Sequence, residues 1–78
     1  MISAYILGKV EPNSETQIPV ALKKIKGVKS AEITFGQYDF VAHVEAENEI
    51  RLKDTIVEKV RTLPGIINTT TLIVSKMA

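Results

Sequence analysis

Four consecutive residues, Gly36-Gln37-Tyr38-Asp39, bring together a glycine able to take an unusual backbone conformation, exposed N–H groups, a phenol and a carboxylate. That set suits a small zwitterion. Asp39 or backbone carbonyls would take an ammonium group, and loop amides or threonine hydroxyls would take a carboxylate. Hydroxyls for the purpose occur in Thr69-Thr70-Thr71, with Thr69 and Thr71 as the candidates. The same residues also read as an ordinary hairpin with a surface tyrosine and a threonine-rich strand, and the residues alone leave both readings open. His43 offers less. It has no local partner for a metal site or a catalytic dyad, since Asp39 begins the same strand and no serine sits at a nucleophile elbow. It reads as an interface or packing residue.

The elements that must position these groups follow from hydrophobic spacing. Ala4 to Val10 is β-prone and is stopped by Pro12-Asn13-Ser14. Ser14 and Gln17 have the form of a capping box, and Ile18, Ala21, Leu22 and Ile25 make one helical stripe that Gly27 ends. Pro19 is discordant, and predicts either a distorted first turn or a later helix start. Val28 to Phe35 alternates as a second strand, with Ala31, Ile33 and Phe35 on one face, and Phe40 to Glu45 forms a third. Asn48 caps a second helix with the stripe Leu52, Ile56, Val60 and Leu63, which Pro64-Gly65 ends before a fourth strand from Ile67 to Val74. A shift of 38 residues places Ala4 on Ala42, Ile6 on Val44, Ile18 on Ile56, Leu22 on Val60, Ile25 on Leu63, Gly27 on Gly65 and Val28 on Ile66. The chain is therefore a duplicated βαβ unit. Right-handed crossovers interleave two such units into one antiparallel sheet of order 4-1-3-2 with both helices on one face, the α+β ferredoxin-like βαββαβ fold.

Two helices cover one side of four strands. The matched residues Ala4, Ile6, Ala42 and Val44 belong under the helices, which turns Tyr5, Leu7, Val41 and His43 outward. That outer face is too apolar for water and predicts a dimer built sheet against sheet or sheet edge against sheet edge.

Composition removes most other functions. Seventy-eight residues make a single domain, 1–78, with one modest core. Ten Lys and Arg against nine Asp and Glu leave a net charge of +1, so no basic tract draws nucleic acid. The absence of cysteine excludes a disulfide framework, a thiolate metal site and a cysteine nucleophile. Acyl phosphate hydrolysis on this topology needs an arginine-bearing phosphate loop after the first strand, where the chain has Glu11-Pro12-Asn13-Ser14. RNA recognition on the same topology needs outward aromatics on the third strand, where Val41 and His43 stand, and is kept as a remote alternative. No apolar stretch approaches the roughly 20 residues that span a bilayer, and the N-terminus opens into a strand pattern instead of a signal peptide. The expectation is a soluble, complete cytoplasmic domain that is no enzyme and carries no cofactor.

Tyr5-Ile6-Leu7 with Val10-Glu11-Pro12, Lys26-Gly27-Val28, Gly36-Gln37-Tyr38-Asp39-Phe40, and Leu63-Pro64-Gly65-Ile66 leading into Thr69-Thr70-Thr71-Leu72-Ile73-Val74 together resemble the effector-binding domain of the Lrp/AsnC regulators. The likeness covers nearly the whole chain. It implies dimers assembled into a ring, with an amino-acid effector held between dimers at the loop Gly36 to Asp39 and helped by the threonine-bearing strand. The sequence departs from that pattern by beginning at the first strand, without the helix-turn-helix domain of family regulators. The resemblance then implies a stand-alone effector module that pairs with itself, or with a full-length regulator, and does not contact DNA. Gln37, where the family often has an acidic or small polar residue, leaves the effector's identity open.

Overall fold

The structure is a computed structural model of the chain, and the residues it describes are 1–74. β1 (Ile2–Val10) ends where Pro12 can no longer donate to a ladder, and a turn leads into α1 (Gln17–Lys23). β2 (Val28–Ile33) and β3 (Phe40–Ala46) form a hairpin; α2 (Glu49–Asp54) runs on into a π-helical segment, Thr55–Val60, and β4 (Ile66–Ile73) closes the sheet. Strand order is β2-β3-β1-β4 with every pairing antiparallel, which is the expected 4-1-3-2 order read from the other edge. α1 packs on β2 and β3, and α2 on β3 and β1. Between the layers lie Ala4, Ile6, Ala42, Val44, Phe40, Ile18, Leu22, Leu52, Ile56 and Val60, all buried.

The two halves repeat each other in burial as well as in sequence. Ala4 and Ala42, Ile6 and Val44, Ile18 and Ile56, and Leu22 and Val60 are all core residues, while Ile25 and Leu63 are partly buried against the core. Gly27 and Gly65 share a positive φ, 100° and 95°. The carbonyl of Gly27 accepts from Glu45 N–H at 2.8 Å, and that of Gly65 from Glu11 N–H at 2.7 Å, so each glycine ties a returning strand to the end of its neighbour.

Three local details differ from the sequence reading. Ser14 and Gln17 form no capping box: the N-cap is Thr16, without a side-chain bond, and the Ser14 backbone carbonyl receives the Gln17 and Ile18 amides at 3.1 and 3.2 Å. The Ser14 hydroxyl lies against Gly65, where a β-carbon would approach it to 2.9 Å. Pro19 thereby becomes the third helical residue, where its missing N–H would have had no intrahelical partner, and its ring is buried. The later helix start resolves the discord. Second, β2 stops at Ile33, and Phe35 lies outside the strand with its side chain wholly exposed. Third, the second helix is α only in its first part. Leu52, Ile56 and Val60 are each four apart, and in an α-helix such a row drifts by about 40° per step. The wider i→i+5 turns of the π segment, closed by Arg61 N–H to the Ile56 carbonyl at 2.9 Å, keep Ile56 and Val60 over the sheet.

Candidate ligand-binding site

Thr34 and Asp39 close the β2–β3 loop at its base. Thr34 N–H donates to the Asp39 carbonyl at 2.9 Å, and the Thr34 hydroxyl to the Tyr38 carbonyl at 2.8 Å. The loop is then fastened to β1: Asp39 N–H donates to the Gly8 carbonyl at 2.7 Å, and Asp39 Oδ2 accepts Val10 N–H at 2.9 Å. This carboxylate bond falls where the β1 register against β4 shifts, between Lys9 and Val10, so Asp39 satisfies an amide that the ladder leaves over. Its other oxygen, Oδ1, has no protein partner among the described residues. At the tip, Gly36 takes φ 113°, a region an L side chain rarely adopts, and nothing lies within 4 Å of where its β-carbon would be. The amides of Phe35, Gly36, Gln37 and Tyr38 find no protein acceptor among the described residues.

Register places the threonines. Gly8 is opposite both Phe40 and Thr69, and Ile6 opposite both Ala42 and Thr71, so Thr69 and Thr71 share the helix-side face of the sheet. Thr70, opposite Leu7, lies on the other face. Thr69 and the base of the loop thus meet at one end of the sheet, on either side of Gly8, about 10 Å apart across two strand spacings. Among the described residues they are not brought together in the cavity that the structure shows. Gly36, Gln37 and Thr71 are exposed, while Tyr38, Asp39 and Thr69 are half-buried. A cavity of about 500 Å³ lies at the opposite end of the sheet, lined in part by Gly27, Glu45, Arg51, Thr55 and Glu58, and contains none of the candidate residues. Among the described residues no group of three or more His, Asp or Glu side chains could hold a metal.

Tyr5, Leu7, Val41 and His43 lie together on the face away from the helices. Tyr5 is opposite His43 and Leu72, and Leu7 opposite Val41 and Thr70. The Tyr5 and His43 rings stack with centroids 4.8 Å apart and planes 19° from parallel. β4 borders this face as an edge strand from Ile66 to Ile73 without a charged residue or a proline.

Two residues of the site escaped the sequence reading. Gly8 is buried because the Phe40 ring occupies the place of its side chain, and an isolated glycine inside a strand pattern is the signal for such an approach. Val10 contributes through its backbone, for which no residue type is a signal.

The family model of the Lrp/AsnC ligand binding domain matches residues 3–78. An uncharacterised helix-turn-helix-type transcriptional regulator of Pyrococcus furiosus is 27% identical over 74 residues, which are 91% of this chain and 49% of that protein. The chain thus spans about half the length of the curated relatives it matches. The crystal structure of FFRP-DM1 superposes with a TM-score of 0.92 at 32% identity, covering 96% of this chain and all of that one. A Neisseria meningitidis transcriptional regulator in complex with L-Met shares the fold alone, at 13% identity and a TM-score of 0.83 over 96% of this chain and 50% of that one. With the duplicated halves, the sheet order and the glycine-led loop in place, the match over residues 3–78 shows that the chain belongs to the Lrp/AsnC ligand-binding domain family.

Proposed function

We propose that this chain is an effector-binding and assembly module that senses an amino acid. The observation that carries the reading is Asp39: Val10 fixes one carboxylate oxygen at 2.9 Å, and among the described residues the other has no protein partner and the loop amides that precede Asp39 in the chain have no protein acceptor. An α-ammonium group fits that oxygen, and an α-carboxylate fits the amides of Gly36 to Tyr38, with the Thr69 hydroxyl at the same end of the sheet. The L-Met held by the Neisseria relative supports a ligand of this class. Because the site is an open shelf in one copy, a neighbouring dimer closes it, and the ligand is held between dimers in a ring.

The dimer itself forms through Tyr5, Leu7, Val41 and His43, whose uncovered face is apolar and bordered by the bare edge of β4. Sensing then follows from linkage: the effector stabilises whichever assembly it binds better, by no more than its differential affinity. The module acts in the cytoplasm and catalyses nothing, and a full-length regulator of its family is a candidate partner.

A thermal-shift screen of the twenty amino acids, read beside particle mass from light scattering, is the test. One or a few amino acids should raise the midpoint and move the mass together. If none does so at millimolar concentration, the sensing claim goes. The second reading is then favoured by the open shelf itself: a non-sensing partner that co-assembles with a DNA-binding relative irrespective of amino acids.

A further inference from the structure

Among the described residues, the large apolar side chain most open to water is Phe35, at 101% relative exposure. It stands at the first corner of the loop, one residue before Gly36, and the Thr34 hydroxyl bond to the Tyr38 carbonyl holds that loop closed around three residues. Nothing in the core explains it. A solvated phenylalanine on a loop whose base is so firmly bonded is an apolar surface held ready for an occupant.

Charge narrows what the occupant is. From Ile33 to Phe40 the one charged residue is Asp39, and Val10 already holds one of its oxygens. Lys9 and Glu32, the nearest other charges on the flanking strands, are opposite Asn68 and Val41 in the face turned away from Phe40 and Thr69. Within one copy, the loop and its two flanking strands therefore supply negative charge for one ammonium group and nothing further. A lysine or arginine side chain would need a second carboxylate, and an aspartate or glutamate side chain would need a cation.

We infer that Phe35 is the side-chain subsite of the effector site, and that the effector is an α-amino acid with an apolar or aromatic side chain lying on the Phe35 ring. This rests on the amino-acid reading of the same loop. The backbone of the loop takes the groups common to all amino acids, and Phe35 distinguishes among them.

Calorimetric titration of the full chain with glycine, alanine, leucine, methionine, phenylalanine, lysine and glutamate tests both layers separately. The unaltered protein should bind leucine, methionine or phenylalanine about tenfold or more tighter than alanine, lysine or glutamate. Phe35→Ala should remove most of that preference and leave binding of glycine and alanine unchanged, while Phe35→Leu should keep much of it. Light scattering of each variant accompanies the titrations. The inference is overturned if lysine or glutamate binds best, or if Phe35→Ala leaves the ranking intact. It is equally overturned if that substitution changes particle mass alone, which would make Phe35 an anchor for a neighbouring copy. If no amino acid binds the unaltered protein, the amino-acid reading fails with it; a charged preference sinks the Phe35 inference only.

Discussion

Asp39 is asked to do two things at once, and the two can be separated. Its Oδ2 serves the amide of Val10, a buried residue, so Asp39→Ala should cost about 1–3 kcal/mol by orphaning that donor, measured by chemical denaturation. Asp39→Asn keeps an acceptor of the same shape and should hold most of that stability, yet lose the charge that an ammonium group needs. Loss of binding in the asparagine variant with its unfolding midpoint retained is the expected pair of results. Gly8 presents the opposite case, a residue whose absence of side chain is its contribution. Gly8→Ala would force the Phe40 ring aside and should cost about 1–3 kcal/mol in the same measurement, without any direct effect on ligand groups. The loop of Gly36 to Asp39 between two strands was legible, because its glycine, phenol and carboxylate interrupt two apolar runs. The bond from Asp39 to Val10 was not, since it joins residues 29 apart through a backbone amide that no sequence pattern marks.

Among the elements, the second helix shows where pattern suffices and where it stops. Asn48 accepts Arg51 N–H at 2.9 Å in an extended N-cap conformation, as its place before a helical stripe predicted. Asn48→Ala should lower stability by about 1 kcal/mol, read from the denaturation midpoint. The π segment beyond it was missed because Leu52, Ile56 and Val60 match an α stripe almost as well, and the choice is made by how the sheet receives them. In the first half the same shift of 38 puts Thr55–Val60 on residues 17–22 of α1, and α2 on the turn around Pro12. One half thus spends as helix what the other spends as a proline turn. The capping box at Ser14 failed for a related reason: the turn brings Ser14 against Gly65, a long-range contact that outcompetes a local cap. The strand order and the covered face were legible because Ala4, Ile6, Ala42 and Val44 repeat across the halves. The end of β2 was not, because Phe35 continues the alternation by type while the loop bonds of Thr34 end the strand two residues earlier, at Ile33.

At the scale of the molecule, the uncovered face is the surface through which we propose that two copies meet. Leu7 lies between Val41 and Thr70 near the middle of that face, and a charge there would have to be desolvated on dimerisation. Leu7→Lys should convert the protein to a monomer by sedimentation at micromolar concentration with its far-ultraviolet circular dichroism unchanged; a monomeric unaltered protein under the same conditions would remove the face-to-face dimer. The near-neutral balance, +1, agrees with a module whose contacts are apolar and whose affinity for DNA should not rise as salt falls. The pseudo-two-fold halves carry one more consequence. Val74 N–H donates to the Ser3 carbonyl at 2.9 Å, and Ala4 is opposite Ile73, so the start of β1 and the end of β4 are neighbours. Joined there by a short linker and opened at Gly36, the chain would run β3, helix, β4, β1, helix, β2, which is again strand-helix-strand twice over. Such a circular permutant keeps its topology letter for letter, with new ends placed at the candidate loop, so the wiring that builds the domain and the loop that would hold its ligand are separable by cutting a single peptide bond.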